Sequence, residues 1–226
     1  MNPTPSSLPS TALAYLNPHY WNERFSNEEH YEWFKDYSHF RSIILDYVTL
    51  SASVLELGCG NSQLCDNMYR DGITNITCID LSPVAVKKTQ ARLASAGMKE
   101  IKVLEADMLH LPFTEECFDV VIEKGTMDVL FVDSGDPWNP KPESKDLVMS
   151  MLREVHRVLK QDGIFISVTF GQVYLNLPKY VFMCTLIIFA YKCSHISAAP
   201  SLKPQNFLGL PSGKHLEMDF IILFIS

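Results

Sequence analysis

The residues best suited to chemistry lie in the run Glu56-Leu57-Gly58-Cys59-Gly60 and at Asp80. Gly58 and Gly60 have no Cβ, so the backbone there can approach a ligand closely. Asp80 follows Gly60 by 20 residues, at the end of a predicted strand, where a carboxylate can accept hydrogen bonds from both hydroxyls of a ribose. This spacing predicts a site for a ligand that contains a nucleoside.

A dinucleotide and S-adenosyl-L-methionine are the two ligands to distinguish at such a loop. The dinucleotide fingerprint requires a third glycine where this chain has Gln63, and Glu56 would repel a pyrophosphate. S-adenosyl-L-methionine has no phosphate, and its sulfonium and ammonium groups are attracted by Glu56 and Asp80. The sequence therefore predicts S-adenosyl-L-methionine as the cofactor and methyl transfer as the reaction.

The surrounding pattern predicts a Rossmann-like, doubly wound α/β fold with a mostly parallel sheet, because strand-like and helix-like stretches alternate. The predicted strands are 53–57, 76–80, 101–105, 118–123 and 164–170, and the predicted helices are 62–70, 83–96 and 147–159. Ligands of such sheets bind beyond the carboxyl ends of the strands. The residues at those ends are Glu56 to Asn61, Asp80, Asp107 and Glu123-Lys124. The insertion 133–144 is predicted to be an ordered loop beside them.

The chain divides into four predicted parts: a flexible tail at 1–15, a helical segment at 16–50, the cofactor-binding domain at 51–170 and an atypical apolar tail at 171–226. Within the second part, apolar residues recur at steps of four and three: Trp33, Tyr37, Phe40, Ile44 and Tyr47. This spacing predicts one amphipathic helix over 31–47.

Composition and charge argue against several other classes. A net charge of −7 is unsuited to nucleic-acid binding, which needs clustered Lys and Arg. The six cysteines form no C-x-x-C pair and match no His spacing, so no metal site is predicted. The apolar run 180–191 is shorter than the roughly 20 residues of a membrane span. The first Lys or Arg is Arg24, which is unlike a secretory or mitochondrial leader, so a cytoplasmic location is expected.

Three further motifs accompany the loop: Tyr20-Trp21-Asn22-Glu23-Arg24-Phe25, Tyr31-Glu32-Trp33-Phe34 and Glu123-Lys124-Gly125-Thr126-Met127-Asp128. Together with Leu57-Gly58-Cys59-Gly60-Asn61-Ser62 and Asp136-Pro137-Trp138, they resemble the eukaryotic seven-strand lysine methyltransferases of the methyltransferase-like 13 group. The resemblance covers about residues 18 to 170. It implies methyl transfer from S-adenosyl-L-methionine to a lysine of a protein such as elongation factor 1A.

The resemblance also implies a set of cofactor-binding residues, in which aromatic side chains before the sheet close over the cofactor: Trp21, Phe25, Trp33, Gly58, Asp80, Leu81, Asp107, Met108 and Lys124. A ring face near the sulfonium contributes a cation–π attraction on the order of 0.5 to 2 kcal/mol. Trp33 fits ordinary helix packing equally well, because it also belongs to the apolar stripe.

Catalysis requires a neutral amine held in line with the methyl group, and a free lysine amine has a pKa of about 10.4. A nearby positive charge lowers the pKa of an amine, so one hypothesis is that Lys124 supplies it while Glu123 or Asp128 orients the acceptor. The alternative is that the stem of Lys124 only covers apolar surface.

The resemblance ends at Phe170, and the remaining residues carry about half the charge density of the whole chain. The last predicted strand would then have an exposed apolar edge, unless 181–189 and 220–225 pair in place of the usual hairpin. Two other functions stay open beside protein lysine methylation. The chain can be a small-molecule methyltransferase, or a non-catalytic binding protein that retains the cofactor half of the fold.

Overall fold

A seven-stranded sheet forms the centre of the protein. The computed structural model describes residues 9, 11–136, 139–169, 186–193 and 218–225, the last two ranges as backbone strands. The strands of this sheet are β1 (Val54–Leu57), β2 (Ile76–Asp80), β3 (Lys102–Glu105), β4 (Phe118–Lys124), β7 (Leu159–Thr169), β8 (Leu186–Cys193) and β9 (Met218–Ile225). The two strands between β4 and β7 in the chain, β5 (Gly135–Asp136) and β6 (Asn139–Pro140), pair with each other in a separate ribbon. The large sheet has the order β3-β2-β1-β4-β7-β8-β9.

The five neighbouring strands β3, β2, β1, β4 and β7 are parallel to one another, which confirms the predicted doubly wound α/β class. β1 lies between β2 and β4, so the order reverses there and opens a crevice at the carboxyl ends of the strands. All four residues of β1 are buried, as expected when helices cover both faces of a sheet.

The described residues contain five α-helices: α1 (Pro18–Asn27), α2 (Arg41–Tyr47), α3 (Leu64–Arg70), α4 (Pro83–Ser95) and α5 (Pro142–Val158). One core contains Ile44 of α2, Met68 of α3 and Leu93 of α4, and the other contains Met151 and Val155 of α5. The two apolar cores therefore lie on opposite sides of the sheet. No helix in the described residues is both long and apolar enough to cross a bilayer.

Helix α4 has the predicted start and nearly the predicted end. The Ser82 side chain accepts a hydrogen bond from the Ala85 amide at 3.3 Å, and Pro83 occupies the first turn, where its missing N–H is tolerated. Gly97, just beyond the helix, has a φ of 77°. These are the cap residues that the sequence indicates.

Helix α5 begins earlier than predicted, which corrects the bounds of the loop at 133–144. The helix starts at Pro142 and not at Leu147, because a proline is well accommodated in a first helical turn. The start of the next strand also differs. β7 begins at Leu159 and contains Asp162, whose φ of 62° accompanies a register shift, so the predicted turn is an irregularity within a longer strand.

The single helix predicted over 31–47 is wrong in its first half. Residues 31–36 are not helical, a 3-10 turn follows at Tyr37–His39, and only Arg41–Tyr47 is α-helical. Phe34 has a φ of 65°, which a right-handed helix cannot contain. The Asp36 carboxylate then accepts a hydrogen bond from the Ser38 amide at 2.9 Å, starting a new turn. Trp33 is thereby separated from the helical stripe.

The C-terminal part adds two antiparallel strands to the sheet. β8 pairs with β7, with Ile166 opposite Ala190, and β9 pairs with β8, with Phe189 opposite Ile222. The pairing alternative raised by the sequence is therefore the one found, although residues 181–185 lie outside the described part. The edge of β7 is covered by β8.

Candidate functional site

A cavity of about 300 Å³ opens at the carboxyl ends of β1, β2 and β4. Its size is at the lower end of the range for small-molecule sites, roughly 300 to 1,000 Å³. Most of the predicted cofactor residues line it: Trp21, Phe25, Trp33, Gly58, Gly60, Asp80, Leu81, Asp107, Met108 and Lys124. The structure thus brings together residues that span more than a hundred positions of the chain.

The glycine loop forms the floor of the cavity. Gly58 has a φ of 64°, and a Cβ placed there would lie 2.3 Å from Oγ1 of Thr126. The Thr126 hydroxyl donates to the carbonyl of Leu57 at 3.1 Å, which holds this contact in place. Gly60 has a φ of 50°, so both positions have backbone conformations that favour glycine.

Asp80 is held by two backbone amides. Its Oδ2 accepts from the Gly60 amide and its Oδ1 from the Ser82 amide, each at 2.8 Å. Burial raises the pKa of Asp80, and the two amide hydrogen bonds oppose that rise. Each carboxylate oxygen can accept a second hydrogen bond, so Asp80 can still receive the hydroxyls of a ribose.

Aromatic side chains from the N-terminal segment form the cover of the cavity. The Trp21 ring stacks on Phe25 with 5.6 Å between centroids, and Trp33 meets Trp21 edge-on at 6.0 Å. Helix α1, which carries Trp21 and Phe25, is attached to the start of α4, because the Ser82 hydroxyl donates to Asn22 Oδ1 at 2.6 Å. Trp33 lines the cavity and lies outside the helices, and its contact with a cofactor stays a prediction.

A cation is packed against the rings of this cover. The guanidinium carbon of Arg24 lies 4.7 Å from the ring centroid of Tyr31 and 4.9 Å from that of Trp33. Arg24 is also paired with Glu28 at 3.1 Å. Such cation–π contacts stabilise the positions of these rings.

Lys124 lies in the cavity wall at the end of β4, and its side chain is only 4% exposed. Its Nζ is 2.8 Å from Glu32 Oε2 and donates to the carbonyl of Trp33 at 3.0 Å. The positive charge is therefore paired with a carboxylate. The catalytic role of Lys124 stays a prediction, and its observed contacts are with the cover.

Glu56 does not line the cavity, although the sequence placed it in the cofactor site. Its side chain is buried under the loop, where Oε2 accepts from the Cys78 thiol at 3.4 Å. Burial raises the pKa of Glu56 to about 7, against opposing contributions from the Cys78 thiol and from Lys124. Direct contact of Glu56 with the cofactor therefore stays a prediction.

Three buried thiols adjoin this carboxyl group. Cys59, Cys65 and Cys78 are free and come from the loop, α3 and β2. A hydrogen bond with Cys78 lowers the pKa of Cys59, but burial and the nearby carboxylates of Asp80 and Glu56 outweigh it and raise this pKa to about 11. Sequence spacing could not show this cluster, because its members lie on three different elements.

Glu123 and Asp128, the other predicted catalytic residues, lie behind the cavity wall. Glu123 is fully buried, accepts from the amides of Thr126 and Met127 at 2.9 and 3.0 Å, and also accepts from the Ser167 hydroxyl. Burial, followed by the charge of Asp128, raises the pKa of Glu123 to about 7. These contacts fix the turn after β4. Orientation of an acceptor by either residue stays a prediction.

Several cavity residues were not identified from the sequence. Tyr15 and Leu16 belong to a 3-10 turn at Ala12–Leu16, which lies partly inside the predicted tail. The backbone carbonyl of Tyr15 accepts a hydrogen bond of 2.7 Å from the indole N–H of Trp21. Thr126 also lines the cavity. Its position two residues after the predicted strand-end pair Glu123-Lys124 was the available signal. Trp138 lies outside the described residues.

A mostly parallel sheet with this strand order, a glycine loop after β1 and an acid at the end of β2 are the features of the Rossmann-like class, whose members bind nucleoside-containing ligands at the switch point. The chain belongs to the methyltransferase domain family, whose model matches residues 50–197.

Curated relatives extend over most of the chain. The mouse protein "EEF1A lysine methyltransferase 4" is 34% identical over 180 residues, which is 78% of this chain and 70% of that protein. The bovine protein of the same name is 36% identical over 176 residues, 76% of this chain and 68% of that protein. The Drosophila melanogaster "eEF1A lysine and N-terminal methyltransferase homolog" is 34% identical over 188 residues, 80% of this chain but 27% of that larger protein.

Proposed function

We propose that the protein transfers a methyl group from S-adenosyl-L-methionine to a lysine side chain of a protein of the elongation factor 1A type. The observation that carries this proposal is the meeting of Asp80, the Gly58–Gly60 loop and the rings of Trp21 and Trp33 around one cavity. The names of the mouse and bovine relatives support the choice of acceptor.

The residues present fit the cofactor. Asp80 offers free acceptor positions for the ribose hydroxyls, and the glycine loop allows close approach by the amino-acid part. The ring faces of the cover suit a sulfonium cation, and Leu81 and Met108 provide apolar surface beside Asp80 and Asp107. When bound, the cofactor supplies an electrophilic methyl group on positively charged sulfur.

The protein's own contribution is to hold a neutral amine in a dry, apolar channel. The apolar lining of the cavity includes Val129 and Leu130, and the cover adds Tyr15 and Trp33. Removal of water from around an ammonium group disfavours its charged form and lowers its pKa. The same wall limits access of water to the reacting atoms.

The acidic character of the chain is consistent with a basic acceptor. A net charge of −7 attracts a lysine-rich surface and repels nucleic acid. This electrostatic attraction affects the rate of encounter with the acceptor protein more than the choice of a particular lysine. That choice depends on residues around the cavity mouth.

The test is transfer of labelled methyl from S-adenosyl-L-methionine to unmethylated recombinant elongation factor 1A, followed by peptide mass spectrometry. Label on one lysine, lost when that lysine is replaced by arginine, is the expected result. Label that enters only small molecules of a cell extract would replace the proposal with small-molecule methylation. Calorimetry that shows no binding of the cofactor would leave only a non-catalytic role.

A further inference from the structure

The carboxylate of Glu32 joins three parts of the site. Its Oε2 accepts from Lys124 Nζ at 2.8 Å and from the Ser62 hydroxyl at 2.9 Å, and its Oε1 accepts from the Gln63 amide at 2.8 Å. Lys124 ends β4, while Ser62 and Gln63 lead from the glycine loop into α3. Glu32 itself immediately precedes Trp33 of the cover.

These contacts are largely shielded from water. The side chain of Glu32 is 15% exposed and that of Lys124 is 4% exposed. Lys124 also donates to the Trp33 carbonyl at 3.0 Å, so the cover is tied to β4 through both a side chain and the backbone. Loss of one member of such a shielded pair leaves a charged group without its partner, which is costly.

We propose that Glu32 is a positioning residue that latches the aromatic cover onto the cofactor loop, so that Trp33 stays over the cavity. This inference rests on the proposed function, because the cover has a role only if a ligand binds beneath it. Glu32 does not line the cavity, so it acts through Trp33, the loop and Lys124. Cofactor entry and product release then require these hydrogen bonds to break.

The informative variant is Glu32→Gln, which keeps the size of the side chain and an acceptor for the Gln63 amide but removes the charge that pairs with Lys124. The matched control is Glu29→Gln, three residues away, whose side chain is 90% exposed and pairs with Lys88 at 3.0 Å. Glu29→Gln should unfold at nearly the same temperature as the parent, whereas Glu32→Gln should unfold at a lower temperature, because the shielded Lys124 charge loses its partner.

The first experiment is hydrogen exchange, read by mass spectrometry on the full chain without cofactor. Peptides that cover residues 28–36 and 60–66 should exchange several-fold faster in Glu32→Gln than in the parent and in Glu29→Gln. Equal exchange in all three proteins would overturn the latch. This result does not depend on whether the parent binds S-adenosyl-L-methionine, so it separates the latch from the proposed function.

The second experiment compares steady-state kinetics. Glu32→Gln should raise KM for S-adenosyl-L-methionine about tenfold or more, with kcat at saturating cofactor within about threefold of the parent. Lys124→Met should raise the same KM, and the double variant should be no worse than the more affected single variant. A large fall in kcat with an unchanged KM would make Glu32 part of the chemistry and would contradict the positioning role.

Discussion

The Gly60 amide donates a hydrogen bond of 2.8 Å to the carboxylate of Asp80, which connects the end of the glycine loop to the end of β2. Two features that the sequence shows separately, a G-x-G loop and an acid 20 residues later, are therefore one structural unit. Because the second oxygen of Asp80 accepts from Ser82, the carboxylate is fixed before any ligand arrives. Preorganisation of this kind strengthens ligand binding.

Replacement of Asp80 by alanine should weaken binding of S-adenosyl-L-methionine by about 100-fold, because charge-assisted hydrogen bonds to two hydroxyls are lost. The affinity of Asp80→Asn for the cofactor should lie between those of the parent and of Asp80→Ala, since the amide retains one acceptor oxygen. Titration calorimetry measures both. Asp46→Ala, at an exposed acid on α2, is the control. An Asp80→Ala protein with the affinity of the parent would remove Asp80 from the site.

Replacement of Gly58 by alanine should both destabilise the fold and abolish cofactor binding. The added Cβ meets Thr126 at 2.3 Å, and a left-handed conformation costs a non-glycine residue about 1 to 2 kcal/mol. Gly97→Ala carries the same kind of strain at a φ of 77° but has no atom within 4 Å of the new Cβ. Denaturant unfolding should therefore show a larger loss for Gly58→Ala, and only Gly97→Ala should still bind cofactor.

Trp33→Ala should weaken cofactor binding by about tenfold, from the loss of a ring face and of covering apolar surface. Trp33→Phe keeps a ring, so its affinity should stay within about threefold of the parent. Calorimetry on the two variants decides between a role in the cover and ordinary packing. Equal affinities of Trp33→Ala and the parent would support packing alone.

The buried carboxyl of Glu56 predicts a stability that decreases as pH rises. Its pKa is about 7 in the folded protein and near 4.5 when unfolded, so the folded state binds more protons between these values. The free energy of unfolding should fall across pH 4.5 to 7 and then level off. Glu123, whose pKa is also raised to about 7, contributes in the same direction.

Glu56→Gln isolates one of these two groups. Urea unfolding at pH 5 and at pH 8 gives the free energy of unfolding of the variant minus that of the parent. This difference should be more favourable to the variant at pH 8 than at pH 5, by on the order of 3 kcal/mol. Glu105→Gln, at an exposed strand end, should change little. A pH profile of Glu56→Gln that is parallel to that of the parent would show that Glu56 is ionised in both states.

The sequence was most informative where local chemistry and tertiary structure agree. β2 has the predicted bounds, Ile76–Asp80, because an apolar strand ends at an acid with a cap residue two positions later. Helix α4 starts at the predicted residue for the same reason. The order of strands along the chain, together with the rule for switch points, was then sufficient to place Asp80 and the loop at one cavity.

The sequence was least informative where one residue departs from a regular pattern. The left-handed Phe34 divides a stretch whose apolar spacing suits a continuous helix, and spacing alone does not reveal such a backbone angle. The surroundings of Glu56 and Glu32 are likewise not revealed by local spacing. A strand-end acid was expected in the cavity but is buried beneath it, while Glu32 acquires its partners from residues 30 or more positions away.

The thiol cluster under the glycine loop decides where the protein can be labelled. With a pKa of about 11, the Cys59 thiol is ionised to only about one part in 10,000 at neutral pH, so electrophiles that need a thiolate react with it slowly. Of the four cysteines whose side chains are described, Cys117 alone is partly exposed. Among these four, a maleimide dye or spin probe should therefore attach first to Cys117, which precedes β4 and so lies at the end of that strand away from the cavity.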